Sequence, residues 1–273
     1  MTPARFAYAR PATLDEALAI LAREGEEATP LAGGQSLLPM MAMRVARPTL
    51  LLDLGRVPGL DRVELAGDVL RIGAMARHAA VLAHPLVAAE APLLRLALRE
   101  VAHPAIRNRG TFGGSLCLAD PAAELPACAV TTRATLVLGS ARGERRVAAE
   151  AFFRGLYATA RRSDELLLRA EIPRAPGHAP SFGEVARRRG DYAMAGLALV
   201  KHADTTCLSF LGVEAAPRRL PAVEAALAAG EDAVALLPGL LDPLDSPEAP
   251  AAYRLHLATV LLRRAIEVIR AAA

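Results

Sequence analysis

The residues best placed to do chemistry in this chain are two glycine pairs with hydroxyls beside them, rather than a nucleophile and its base. The stretch "LAGGQSLLPMMAMR" (31–44) carries Gly33, Gly34 and Ser36, and "GTFGGSLCLAD" (110–120) carries Thr111, Gly113, Gly114 and Ser115. Paired glycines let successive backbone N–H groups turn toward one point and a hydroxyl adds a donor, which makes a cradle for an anion such as a pyrophosphate. Neither stretch has the GxGxxG or GxxxxGK[ST] spacing, so the two commonest nucleotide fingerprints are absent. A lone Gly-Gly is more often a tight turn; two of them, each beside strands, leave turn and cradle as evenly matched readings. Glu124, in "DPAAELPA", can accept hydrogen bonds from sugar or ribityl hydroxyls, or it can serve as the negative charge at a helix start. Cys117, Cys128 and Cys207 have no CxxC spacing, so the chain alone cannot build a zinc or iron–sulfur ligand set. The histidines, at 78, 84, 103, 178, 202 and 256, form no nucleophile–base constellation.

The elements that must position these loops are legible in outline. "TLDEALAILAREG" has Thr13 and Glu16 in capping-box spacing and Leu14, Ala17, Leu18 and Leu21 on one face, which predicts a helix ending at Gly25. "TLLLDL" (49–54) reads as a buried strand and "RVELAGDVLRIGA" as a hairpin turning at Gly67-Asp68. Residues 85–102 read as one helix halted by His103-Pro104, followed by the second glycine stretch as a loop. "ATLVLGS" and "RRVAAEAFF" read as strands around a turn at 141–143, and "DELLLRAEIP" as a strand ending at Pro173. The Pro/Gly-rich "RAPGHAPS" (174–181) is the expected domain boundary. Beyond it, "FGEVARRRGDYAMAGLALV" and "TTCLSFLGVEAA" look like antiparallel strands, followed by a helix near 221–229 and a long amphipathic helix from about Ala249. Strands arriving in hairpins rather than in βα alternation give an α+β class.

Composition bounds the reading further. The 273 residues are 53% hydrophobic with 32 basic and 29 acidic residues, a mixed surface that does not indicate nucleic acid. Its longest basic run, Arg187-Arg188-Arg189, reads as a solvated strand end. The first residues do not resemble a secretory leader and no apolar run reaches transmembrane length. With its thiols expected reduced, the chain is expected in the cytoplasm.

"LAGGQSLLPMMAMR", "RNRGTFGGSLCLADPAAELPA", "DELLLRAEIP" and "RRRGDYAMAGLAL", together with the C-terminal "DSPEAPAAYRLHLATVLLRRAI", closely resemble the FAD-binding medium subunit of molybdenum hydroxylases. That group includes carbon monoxide dehydrogenase and the flavin part of xanthine dehydrogenase. The resemblance is collinear over nearly the whole chain. It implies a two-lobed α+β flavin domain of the vanillyl-alcohol-oxidase (PCMH) type over 1–175 and a small sheet-and-helix domain over 176–273. Carried over by position, Ala32, Gly33, Gly34, Gln35, Ser36 and Leu37 form the first loop, and Thr111, Gly113, Gly114 and Ser115 the second, both facing one pyrophosphate. Glu124 contacts the cofactor's hydroxyls, Leu167 or Leu168 lies near the ring system, and Tyr192 lies over or beside it. The family pattern places no His or Cys for attachment, which implies non-covalent FAD. The resemblance further implies a large molybdenum-cofactor subunit and a small subunit with two-iron, two-sulfur clusters, assembled as a dimer of heterotrimers.

Two positions depart from the pattern. Gln35 stands where carbon monoxide dehydrogenase-like relatives often have His, and Gly183 falls where xanthine dehydrogenase-like proteins carry a Lys near the flavin. Two rival readings are a self-contained flavin oxidase or reductase, which would need a larger substrate-capping domain, and a non-enzymatic binding module whose glycine pairs are only turns.

Overall fold

The computed structural model describes residues 2–202 and 205–271; of the six histidines, the side chain of His202 falls outside this description. Among the described residues the strands form four sheets. In the first, β1 (Ala7–Ala9) and β2 (Ala28–Leu31) both pair parallel to β3 (Leu50–Asp53), which lies between them. The helix Leu14–Glu24 makes the crossover between β1 and β2. Its Thr13 cap forms as the spacing predicts, with Thr13 Oγ1 accepting from the Glu16 N–H at 3.2 Å, while Glu16 reaches one residue further back, to the Ala12 N–H at 2.7 Å. Ala17, Leu18 and Leu21 are its buried face. This small parallel unit is local; the rest of the chain is antiparallel, and the protein is α+β.

The second sheet runs β4 (Val63–Ala66), β5 (Val69–Gly73), β10 (Leu166–Pro173), β6 (Thr135–Ser140) and β7 (Gly143–Ala148). Its middle strand β10 joins the lobes. Its register against β6 shifts between Leu167 and Arg169, so the ladder carries an extra residue there. Leu166 and Leu168 belong to the core beneath helix Leu14–Glu24, while Leu167, Ala170 and Ile172 belong to the larger core on the other side. A two-stranded ribbon, β8 (Phe153–Gly155) and β9 (Ala158–Thr159), leads into β10.

Three of the expected elements differ. The single helix over 85–102 is two, Pro85–Glu90 and Pro92–Glu100, because Pro92 has no N–H to continue the ladder and its ring collides with the preceding turn. The strand expected over "RRVAAEAFF" stops at Ala148 and continues as a short helix, Ala149–Phe152. The second glycine stretch, read as a loop, is the start of helix Phe112–Leu118, and Glu124 opens helix Glu124–Thr131.

In the third sheet, β11 (Ala179–Val185), β12 (Ala195–His202) and β13 (Thr205–Leu211), the strand β11 is half-buried while β12 and β13 are buried on both faces along most of their length. Ala195, Leu197 and Leu199 pack with Leu257, Leu261 and Leu262 of the long helix Ala251–Ala271. The alternate residues Ala198 and Val200 join the core of the second lobe. The period of two along one strand thus attaches the C-terminal sheet to the helix behind it and to the lobe in front.

Candidate functional site

The two glycine stretches lie against each other although 80 residues apart in sequence. A Cβ on Gly33 would overlap the Arg109 carbonyl oxygen and sit 2.9 Å from the Gly110 Cα, so only glycine lets these backbones meet. Gly34 follows with φ +72°, a left-handed conformation. Gln35 closes the turn by donating from Nε2 to the Gly33 carbonyl at 3.0 Å. The chain then enters helix Leu37–Ala42. Among the described residues, the backbone N–H groups of Gly33, Gly34, Gln35, Ser36 and Leu37 have no hydrogen-bond partner. Five adjacent unmet donors at a helix start have the chemistry to receive an anion.

The second pair has a different task. Phe112 N–H donates to the Ala76 carbonyl at 2.9 Å and Gly113 N–H to the Ala74 carbonyl at 2.8 Å. Gly114 N–H donates to Thr111 Oγ1 at 3.1 Å, the N-cap of helix Phe112–Leu118. A Cβ on Gly113 would sit 2.5 Å from the Ala74 Cβ. This corrects the expectation that both pairs turn free N–H groups toward one anion: the second pair's donors are satisfied inside the chain, Gly113 permits close packing on Ala74, and Gly114 lies against Thr111 and Ala32. From the segment 74–78, His78 adds a bond between Nε2 and the Thr111 carbonyl at 2.9 Å. Since the partner is a carbonyl, Nε2 carries the proton. Burial holds the imidazole neutral, pushed down to about 4, with its bond to Thr111 opposing and the nearby Arg107 and Arg77 reinforcing.

Between the two stretches runs a cleft of about 460 Å³. Ala32, Gly33, Gly34, Gln35, Ser36, Leu37, Thr111, Gly113, Gly114, Ser115, Glu124, Leu167 and Tyr192, every site residue chosen from the sequence, line it. Of the two leucines offered for the ring, Leu167 lines the cleft, whereas Leu168 does not and packs in the core beneath helix Leu14–Glu24. Tyr192, 75% exposed, stands at the rim. It is brought there by Gly190, whose missing side chain leaves room for the Ala102 carbonyl. Gly183 does not line the cleft, and a Cβ there would make ordinary contact with Leu261 of the long helix at 3.5 Å.

Glu124 combines both of its sequence readings, since it is the first residue of a helix and lines the cleft. Burial pushes its carboxyl up to about 8, and the neighbouring Glu184, Asp120 and Glu100 push it the same way, against its own backbone hydrogen bond. At neutral pH it is therefore protonated and can donate as well as accept. Glu184, on β11, is raised to about 7 by burial and by Glu100.

Sequence reasoning missed the back wall, Ala74, Met75 and His78, which carries no motif and is found only through its pairing with 110–113. It also missed Asp120, although the residue stands inside a quoted motif. Asp120 Oδ1 accepts from the Ala122 N–H at 2.9 Å, and Oδ2 accepts from the Tyr157 hydroxyl at 3.3 Å. Arg161 is a third omission, in a stretch, "ARRSDE", without any signature.

A cleft between two α+β lobes, headed by a backbone anion cradle, defines a protein that binds a nucleotide cofactor. The chain belongs to the FAD-binding flavoprotein subunits of molybdenum-containing hydroxylases: the family described as "FAD binding domain in molybdopterin dehydrogenase" matches residues 4–175, and "CO dehydrogenase flavoprotein C-terminal domain" matches 180–269. It is thereby an oxidoreductase component whose cofactor is FAD. It is 44% identical to the nicotine 6-hydroxylase medium subunit of Paenarthrobacter nicotinovorans over 71% of this chain and 68% of that one. It is 35% identical to the carbon monoxide dehydrogenase medium chain of Afipia carboxidovorans over 100% of this chain and 99% of that one. Among solved structures, that of carbon monoxide dehydrogenase from Hydrogenophaga pseudoflava, lacking the Mo-pyranopterin moiety of the molybdenum cofactor, superimposes with a TM-score of 0.94 at 33% identity, covering 100% of both chains. The residues present fit FAD. The five unmet N–H donors suit a diphosphate, the protonated Glu124 suits a polyol, and the leucine-lined wall at Leu166 and Leu167 suits a flat apolar ring.

Proposed function

We propose that this chain is the electron-exit subunit of a heteromeric molybdenum hydroxylase. Electrons leave a molybdenum cofactor on a large subunit, cross two-iron, two-sulfur clusters on a small subunit, and pass through non-covalently bound FAD here to an external acceptor. The observation that carries the reading is the convergence of all the chosen residues on one cleft whose head is a row of unmet backbone donors. FAD supplies the exchange of electron pairs and single electrons that lets these steps connect. The chain's own residues bind and orient it. Gly33 to Leu37 donate to the diphosphate from the backbone, and Gln35 holds the turn that aims them. Thr111, Gly113, Gly114 and Ser115 form the opposing wall, with the Ser115 hydroxyl able to donate. Glu124, protonated, shares its proton with a ribityl or ribose oxygen. Leu167 excludes water from one side of the ring and Tyr192 covers its open edge.

The same reading takes residues 1–175 as the flavin domain and 176–273 as the C-terminal domain. It also takes the assembly as two copies each of three chains, and the compartment as the cytoplasm. Among the described residues no helix is long and apolar enough to cross a membrane.

The test uses the purified full chain. It should be yellow, and acid precipitation should release all of the colour into the supernatant; flavin left in the washed pellet would refute non-covalent binding. With a chemical reductant the chain should pass electrons to small dyes, but it should not oxidise heteroaromatics, aldehydes or carbon monoxide unaided. Turnover on such a substrate by the chain alone would overturn the electron-exit assignment. Tagged chain expressed with its natural neighbours should recover molybdenum and iron, and recovery of this chain alone under gentle conditions would count against the assembly.

A further inference from the structure

Arg161 is, among the described residues lining the cleft, the one that carries a permanent positive charge. Its guanidinium is fixed along one edge. Nη1 donates to the Arg162 carbonyl at 3.0 Å and to the Glu165 carbonyl at 2.8 Å. Among the described residues Nε and Nη2 have no partner. The loop that holds it is itself braced: Glu165, 2% exposed, takes a two-pronged ion pair from Arg145 at 2.6 and 2.8 Å and the Arg162 N–H at 2.8 Å. A half-buried arginine with one edge anchored to carbonyls and no carboxylate of its own is a preorganised fork for an anionic or carbonyl group in the cleft.

Its position decides which group. Arg161 is close enough to Cys117 to pull that thiol down against the burial that raises it to about 11. Its Nη1 is tied to the carbonyl of Glu165, the residue just before Leu166, which lines the cleft together with Leu167. The diphosphate has its donors at Gly33 to Leu37, which leaves Arg161 for the ring end.

We propose that Arg161 pairs with the N1–C2 carbonyl edge of the bound isoalloxazine and stabilises the negative charge that this edge acquires on reduction. Oxidised flavin takes up two electrons and one proton, the proton bonding at N5, and the remaining negative charge spreads over N1 and the C2 oxygen. A positive fork held there favours the reduced anion over the neutral oxidised ring, raises the potential, and makes a second proton at N1 harder to add. The inference rests on the assignment of FAD to this cleft.

The test compares the FAD-loaded full chain with R161Q and R161K, reduced stepwise with dithionite against a reference dye. R161Q is expected to bind FAD nearly as well as the unsubstituted chain, because the oxidised ring is neutral. Its preference for reduced flavin should fall at least tenfold, about 30 mV for this two-electron couple. The pH at which the reduced flavin's spectrum changes from neutral to anionic should rise by about one unit. R161K, which keeps the charge but not the fork, should fall between the two. A potential and a spectral transition unchanged in R161Q would overturn the proposal. So would lost FAD affinity at an unchanged potential, which would make Arg161 a diphosphate ligand. If R161Q does not fold, R161K decides alone by the same two readouts. An unsubstituted chain that takes up no FAD would instead refute the site assignment.

Discussion

Gly33-Gly34 and Gly113-Gly114 look alike in sequence, each a pair followed within two residues by a serine or preceded by a threonine, and the fold uses them in opposite ways. The first pair leaves five successive backbone N–H groups without partners at the head of the cleft. The second pair satisfies its donors on Ala74 and Thr111, and Gly113 packs its bare Cα against the neighbouring strand end. A glycine pair therefore announces close backbone approach, and whether the thing approached is a ligand or the chain itself depends on where the flanking strand runs. The two meanings meet at Gly33, where the first stretch packs on Arg109–Gly110 and so fixes both stretches as one unit.

The strongest way to break this comparison is to fill the two closest approaches. Gly33→Ala and Gly113→Ala should each destabilise the protein at or above the top of the usual overpacking range of about 1–3 kcal/mol, because the obstructing atoms include backbone. Denaturant unfolding of the FAD-free chain would show it, and losses below about 1 kcal/mol for both would mean the close approach is not required.

Glu124→Gln sharpens the contrast by testing how water-poor the second region is. The carboxyl's raised value favours its protonated form in the fold. That contribution to stability is complete below its ordinary value of 4.5 and is lost as pH rises through about 8. The variant, which cannot ionise, should be more stable than the parent at pH 9 by at least about 1.4 kcal/mol, the worth of one pKa unit. Equal stability at pH 9 would mean that the carboxyl ionises there without penalty.

Gly34→Ala and Gly114→Ala separate the two roles most directly. A side chain at Gly34 meets the flexible end of Leu38 and a left-handed backbone, a strain of about 1–2 kcal/mol located in the turn that aims the free donors. FAD affinity should suffer most. A side chain at Gly114 would sit 2.7 Å from Thr111 Oγ1 and displace the helix cap, about 0.5–2 kcal/mol of stability with FAD affinity less affected. Flavin titration and unfolding on the same samples read both quantities, and identical profiles for the two variants would erase the distinction. The smallest effect should come from Gln35→Ala, which removes the bond to the Gly33 carbonyl, worth about 0.5–1.5 kcal/mol. Its expected expression is a loss of FAD affinity with unfolding nearly unchanged; the reverse pattern would assign Gln35 to the fold alone.

Much of the local structure was legible because its causes are local. Thr13 and Glu16 specify a helix start within four residues, Gly67-Asp68 specifies a hairpin, and the apolar runs at 50–53 and 166–172 specify buried strands. The two long misreadings also have local causes given too little weight: Pro92 divides a pattern whose apolar spacing continues across it, and the glycines of 113–114 hide a helix start that Thr111 announces. Glu124 could be chosen from its motif, but its protonation could not, since that depends on Glu184 from a strand 60 positions later and on Asp120 and Glu100 around it.

The sequence by itself determined the family, most of the element types and many of the residues that line the cleft, because backbone conformation and side-chain chemistry at each motif are written in neighbouring positions. Only the tertiary structure decided which glycine pair keeps its donors free, that Leu167 and not Leu168 lines the cleft, that Gly183 lies beside the long helix, and that Arg161 enters the site at all. Each of these is settled by what lies across a gap of a few ångströms from a residue distant in the chain. A strand bulge, the alternation of a strand's two faces and the path of segment 74–78 set those neighbours, and none of them leaves a signature at the residue whose role it fixes.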